Sequence, residues 1–288
     1  MSNIILLDSA MGSELINRGE SLPKHIWSAY VNTNNPDLVY QIHSENIDAG
    51  AQVIITNTFR TTPRAYIKTG LNFNNAIRES RASLDSAINM AHMAATKDIL
   101  VLGSIAPLED CYQPKLFPGE EIAYDEFVQI GHWLYDGGVD GIIIETMNNI
   151  AETVVALEAL DTIKLPIYVS YGLRTANKLL SGESLSSAIS ILNKYEIEGL
   201  LLNCSPIKIM SNAVDNIVNI YSGKWGIYPN LGIGQPPSNG EIKAVVSDEI
   251  FLMLMQKAKN NHAKFLGGCC GSSPHHIKLL NNLIVNNL

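Results

Sequence analysis

The sequence predicts an α/β protein built as a single (β/α)8 TIM barrel, and three observations carry that expectation. Eight short apolar runs recur between residues 4 and 266, each nearly continuous and rich in Ile, Val and Leu, as strands covered on both faces read. Longer stretches with apolar residues at helical spacing lie between them. No linker or low-complexity tract breaks the alternation, so one domain over 1–288 is expected rather than two. Alternating strands and helices imply parallel pairing through right-handed crossovers, and eight such units suit a closed barrel better than an open sheet.

The first run, Ile4-Ile5-Leu6-Leu7, stops at Asp8, and a helix over 36–48 follows. Pro36 stands in that helix's first turn, where proline is tolerated, and Gly50 ends it. Val53-Ile54-Ile55 is the second strand, with a helix over 74–95. The third and fourth strands are Ile99-Leu100-Val101-Leu102 and Gly141-Ile142-Ile143-Ile144, followed by helices over 124–136 and 149–161. Ile167-Tyr168-Val169 and Gly199-Leu200-Leu201-Leu202 are the fifth and sixth strands, with helices over 184–195 and 207–221. Gly226-Ile227-Tyr228 and Lys264-Phe265-Leu266 complete the set, with helices over 248–259 and 274–285. Looser stretches at 60–71, 108–122, 174–183 and 232–241 each follow a strand. In a barrel such loops build the catalytic face.

Charge and composition exclude several partners. Lys and Arg number 20 against 28 Asp and Glu, a formal charge of −8, with no basic run. Neither nucleic acid nor an anionic membrane surface suits that balance. Only 17% of residues are charged, below the usual ~25%, so many segments are buried on more than one face. No apolar run approaches the ~18–20 residues of a membrane span. Asp8 interrupts the first run and no basic segment precedes it, unlike a secretory signal. The cytoplasm is the expected compartment.

Three of the four cysteines carry the chemistry. Cys204 follows the sixth strand in Asn203-Cys204-Ser205-Pro206, and Cys269 and Cys270 follow the eighth in Gly267-Gly268-Cys269-Cys270-Gly271. Strands six and eight are separated by one strand, so all three thiols reach the same rim. Three converging thiolates form a soft anionic site suited to Zn2+, and a missing fourth protein ligand marks a catalytic rather than structural site. A strained vicinal disulfide and plain core packing are the other readings of the residues alone. Cys111, in the loop after strand three, reads as a core or bystander cysteine.

Several motifs resemble the homocysteine S-methyltransferase family. They are 8-DSAMGSEL-15, 55-ITNTF-59, Glu145-Thr146, Asn203-Cys204, 228-YPNLG-232, the Gly-Gly-Cys-Cys-Gly element and 274-PHHI-277, in family order from residue 8 to residue 277. The resemblance implies a zinc-bearing barrel that transfers a methyl group to the thiol of homocysteine, with Cys204, Cys269 and Cys270 as metal ligands and catalytic groups. Asp8 and Glu145 match carboxylates that face the amino-acid part of homocysteine, and a carboxylate is a natural partner for an ammonium. Thr58, Asn203 and Asn230 are candidate polar wall residues at strand ends. His275 and His276 fall in the first turn of the last helix and are expected to be structural; His43 and Trp133 read as ordinary helix-face residues.

The same resemblance bears on the methyl donor. The segment His25-Ile26-Trp27-Ser28-Ala29 is most similar to the S-methylmethionine-using branch, and Trp27 offers an aromatic face to an onium methyl group. Thr146 stands where the betaine-using branch has tyrosine. The expected substrates are therefore homocysteine and a small onium donor, S-methylmethionine before S-adenosylmethionine or betaine. Methyl transfer to another small thiol or selenol, and a non-enzymatic zinc-binding barrel, are the alternatives.

Overall fold

A computed structural model describes residues 4–233, 242 and 245–285. Most of the loop expected over 232–241 lies outside the described residues. The strands are β1 (Ile5–Leu6), β2 (Val53–Ile55), β3 (Leu100–Ile105), β4 (Gly141–Met147), β5 (Ile167–Thr175), β6 (Lys178–Leu179), β7 (Gly199–Pro206), β8 (Trp225–Asn230) and β9 (Phe265–Leu266). All but β6 pair in parallel, in the order β1-β9-β8-β7-β5-β4-β3-β2. A parallel bridge from Leu7 to Val53 joins the two ends. The amide of Gln52 donates to the Leu6 carbonyl at 2.8 Å and the amide of Ile55 to Asp8 Oδ2 at 2.8 Å. The Asp8 side chain thus completes the seam that closes the barrel.

Helices cover the outer face as α1 (Met11–Asn17), α2 (Ala29–Asn34), α3 (Pro36–Ala49), α4 (Pro63–Ile67), α5 (Phe73–Ala94), α6 (Glu120–Asp136), α7 (Ile150–Leu160), α8 (Leu185–Leu192), α9 (Ile207–Ile220), α10 (Asp248–Asn260) and α11 (Pro274–Val285). Asn72, Asn149, Ser184 and Ser247 cap α5, α7, α8 and α10 by accepting a backbone N–H, which satisfies amides the helix leaves unpaired. The eight long helices lie within a few residues of the sequence expectation. Short α1, α2 and α4 and the β5–β6 ribbon differ from the expectation, because helices of five to seven residues, two turns or fewer, leave no readable period. No helix among the described residues is long and apolar enough to cross a membrane.

Two cores result. Leu7, Val53, Leu102, Ile143, Tyr168, Leu201, Tyr228 and Phe265, one from each barrel strand or its end, fill the interior. A larger cluster sits between strands and helices. Five strands run past their apolar runs into polar residues such as Ser104, Glu145, Asn203 and Asn230, all buried. An apolar-run reading stops short there, because the last turns of a barrel strand face the site rather than a core.

The seam between β8 and β9 is tight. A Cβ at Gly226 would fall 2.3 Å from the Phe265 carbonyl oxygen. Backbone cannot move aside as a side chain can, so Gly226→Ala is expected to cost at least the ~1–3 kcal/mol of overpacking, read as a lowered urea midpoint with an unchanged slope.

Candidate metal centre and carboxylate pair

The three cysteines meet. Cys204 Sγ lies 3.3 Å from Cys270 Sγ, and Cys270 Sγ lies 4.0 Å from Cys269 Sγ. All three sulfur atoms fall within 4.8 Å of one another, and none is in a disulfide. Tetrahedral zinc ligands at ~2.3 Å sit roughly 3.8 Å apart, so the donor set fits the ion. Cys269 and Cys270 are not bonded to each other here, their sulfurs standing 4.0 Å apart.

The backbone is shaped to deliver these sulfurs. Cys204 has φ 47°, a left-handed conformation rare for a side chain with a Cβ, and Thr146 has φ 55°. Each sits in a register shift, one in the β7–β8 pairing between Asn203 and Pro206 and one in the β4–β5 pairing between Ile144 and Met147. Such bulges re-aim a side chain at the rim of a barrel. The Asn203 side chain ties them together: its Nδ2 donates to Thr146 Oγ1 at 2.7 Å, and its Oδ1 accepts from the Thr146 amide at 3.1 Å. Ser170 Oγ donates to the same Oδ1 at 2.9 Å.

The Cys269–Cys270 loop is held from both sides. The Cys269 amide donates to the Pro229 carbonyl at 2.9 Å, and the Cys270 carbonyl accepts from Leu231 at 2.8 Å. On the other flank Gly268 donates to the Asp8 carbonyl at 3.1 Å, Ser272 Oγ accepts from Ala10, and Ser13 Oγ accepts from Gly271. The cysteine loop is therefore fixed against the loop that carries Asp8.

Glu145 is buried beside this cluster. Ser104 Oγ donates to its Oε1 at 2.5 Å and the Tyr228 hydroxyl to its Oε2 at 3.3 Å. Burial, with the Cys204 charge adding to it, pushes the Glu145 carboxyl up to about 7 against those two hydrogen bonds. Burial also holds Asp8 well above the usual carboxylate range, the Ile55 amide opposing and the Glu145 charge adding. Two buried carboxyl groups thus sense each other, and among the described residues no basic side chain pairs with them, an environment that favours an incoming cation. Among the thiols, hydrogen bonds from Cys269 and Cys270 hold Cys204 well below the ordinary range, and donating to Cys204, together with burial, pushes the other two up.

The remaining expected residues take supporting places. Thr58 is buried, its hydroxyl donating to the Ser104 carbonyl at 2.8 Å while accepting from the Ser104 amide at 3.0 Å. It thereby holds the serine that holds Glu145. Asn203, fully buried, spends its amide on Thr146 and Ser170. Asn230 Oδ1 accepts from the Gly232 amide at 2.8 Å. Trp27 is half-buried, with its Nε1 only 2.8 Å from where a Cβ on Gly12 of α1 would stand.

His275 Nε2 pairs with Asp248 at 2.8 Å, away from the sulfurs. His276 is buried against Phe251. Cys111 is buried outside the trio, its thiol pushed up to about 12, mainly by burial. His43 is also fully buried, and burial lowers it to about 4, so it is neutral.

Three residues of the site were missed by sequence reasoning: Ser104, Tyr228 and Tyr112. Ser104 and Tyr228 stand at or near strand ends, and the place alone could have marked them. Tyr112, in the loop after β3, puts its hydroxyl 3.4 Å from Cys204 Sγ, and nothing local in the sequence marks that approach.

A family model described as homocysteine S-methyltransferase matches residues 5–284. The chain belongs to the homocysteine S-methyltransferase family. Its chemistry is methyl transfer to homocysteine. Among curated proteins it is 28% identical to the homocysteine S-methyltransferase of Escherichia coli (strain K12), over 96% of this chain and 94% of that one. It is 25% identical to a selenocysteine Se-methyltransferase of Brassica oleracea var. italica, over 98% and 89%. The metallated crystal form of the homocysteine methyltransferase MmuM from Escherichia coli superposes with a TM-score of 0.83 at 25% identity, covering 96% of this chain and 95% of that one.

The Glu145 environment has a measurable consequence. A carboxyl raised from 4.5 to about 7 on folding binds more protons folded than unfolded. Its contribution to stability therefore falls as pH rises through that window. Metal-free Glu145→Gln protein is expected to melt above the parent at about pH 8 and level with it below about pH 4, as thermal unfolding across pH would show.

Proposed function

We propose that this family member is a zinc enzyme that methylates homocysteine from S-methylmethionine, with Cys204, Cys269 and Cys270 holding the metal. The observation that carries the reading is the convergence of three free sulfurs within 4.8 Å beside two buried carboxyl groups. Bound there, zinc supplies a Lewis acid that lowers a thiol pKa from roughly 8.5, so that homocysteine is a thiolate at neutral pH. A site that needs three reduced thiols suits the cytoplasm.

Glu145 and Asp8 receive the ammonium of homocysteine. Glu145 keeps its hydroxyl donors from Ser104 and Tyr228, which orient its oxygens. Asp8 offers Oδ1, since Oδ2 is engaged by Ile55. The homocysteine sulfur then attacks the methyl carbon in line. A new sulfur–carbon bond forms as the onium–methyl bond breaks, and its electron pair stays on the donor sulfur. That sulfur leaves as a neutral thioether, so no general acid is needed. Trp27, which packs beside Gly12 of α1, is the residue that in this reading offers its ring to the onium group.

Purified protein should carry about one zinc per chain. Cys269→Ala and Cys270→Ala should each lose it by elemental analysis while Cys111→Ala retains it; zinc undiminished in the first two would refute the ligand set. With metal retained, Glu145→Gln should lose roughly 1.5–3 kcal/mol of homocysteine binding, the worth of one charge-assisted hydrogen bond. A panel of methyl donors with homocysteine fixed should rank S-methylmethionine first. Trp27→Ala should lower efficiency toward it by roughly 0.5–2 kcal/mol. Betaine outpacing both sulfonium compounds would overturn the donor.

A further inference from the structure

The loop after β3 is anchored far more heavily than a surface loop needs. Arg60 Nη1 donates to the carbonyls of Pro107 at 2.9 Å and Glu109 at 2.8 Å. The Leu108 amide donates to the buried Glu152 at 2.8 Å, and Asn148 Nδ2 donates to the Cys111 carbonyl at 3.0 Å. Glu109 is paired with Arg64 at 3.1 Å and with Lys68, and Arg64 in turn reaches Glu126 at 2.6 Å. Asp110 Oδ1 accepts from the Tyr112 amide itself at 3.0 Å. None of these bonds uses the Tyr112 side chain. Their joint effect is to fix where that side chain starts.

From there the ring spans the edge of the site. Tyr112 is 46% exposed, yet its hydroxyl lies 3.4 Å from the sulfur of Cys204, which is only 9% exposed. Among the described contacts, the Cys204 sulfur is met by the other two thiols and by this hydroxyl. A sulfur held as a metal thiolate can only accept, so in the loaded protein the phenol must be the donor.

We propose that Tyr112 is a positioning residue for the metal centre: its hydroxyl donates to the Cys204 thiolate, drawing charge from that ligand and shielding it from solvent protons. This rests on the zinc reading above. Of the three ligands, Cys204 is the one in a strained left-handed conformation, so a bond that fixes its sulfur has an evident use. A donor hydrogen bond to a thiolate lowers the energy of its lone pair. The metal then becomes a stronger acid toward whatever occupies the remaining position, and the thiolate is harder to protonate off. Partners of metal ligands commonly change affinity 10–100-fold when lost.

Tyr112→Phe removes one O–H and keeps the ring and every loop anchor. The full-length protein loaded with cobalt(II) reports on the thiolates through sulfur-to-metal charge-transfer absorption. In Tyr112→Phe that band should move to longer wavelength, and the zinc-loaded variant should lose zinc to a chelator about 10-fold faster or more. Tyr112→Leu should shift the band in the same direction, because the hydroxyl and not the ring is responsible. Both variants should keep the parental circular dichroism, the side chain being half-exposed. An unmoved band with parental zinc loss in Tyr112→Phe would overturn the proposal, even if methyl transfer slowed, and would leave Tyr112 as a wall of the pocket. Wild-type protein that takes up no cobalt, or shows no thiolate charge transfer, would instead overturn the metal reading and this inference with it.

Discussion

Three sulfur atoms gathered within 4.8 Å in a largely buried site are the constraint on which the rest of this structure depends. As thiolates they repel one another in a low-dielectric setting. The fold by itself favours ionisation at one sulfur: hydrogen bonds from the other two thiols lower Cys204, while donating those bonds and burial raise Cys269 and Cys270. A divalent cation resolves the conflict for all three at once. Three thiolates and one dication sum to a charge of −1, which keeps a bound sulfur electron-rich. The arrangement is thus unfavourable without a cation and well matched to one with an open position.

The carboxyl groups extend the same logic to the substrate. Asp8 and Glu145 are buried, have no basic partner among the described residues, and are both pushed toward the protonated form. An arriving ammonium changes the balance, since it offers a counter-charge where desolvation had been the dominant influence. Asp8 is also part of the barrel's closure through Ile55. Its removal therefore perturbs fold and binding together, whereas Glu145 hangs from hydroxyl groups alone and separates the two.

Much of this was legible in the sequence for a physical reason. Barrel strands are covered on both faces, so eight apolar runs stand out, and polar residues that interrupt them at one end mark the rim. Cys204, Cys269, Cys270, Asp8 and Glu145 could be located that way, and the motifs supplied the family. What the sequence hides is which polar side chains point at a ligand and which point at the protein. Asn203 and Thr58 look like wall residues by position, but their polar atoms are taken up by Thr146, Ser170 and Ser104. Tyr112 is hidden for the opposite reason. Its approach to Cys204 depends on pairing Glu109 with Arg64 and on Arg60 gripping the loop, contacts more than 40 residues apart in the chain.

The Asn203–Thr146 bond gives position 146 a meaning beyond the choice of methyl donor. Two adjacent bulges, each with a left-handed residue, store strain that some contact must offset. Asn203 does so by engaging both the amide and the hydroxyl of Thr146, so the peptide after Glu145 and the peptide before Cys204 are set by one side chain. A tyrosine at 146 would carry its hydroxyl several ångströms farther from the backbone, out of reach of an Asn203 held in this pose. A relative with an aromatic residue there must orient its glutamate and its first cysteine by other contacts. In this chain Cys204 and Glu145 are aligned through a shared hydrogen-bonded pair, and Thr146 belongs to that alignment.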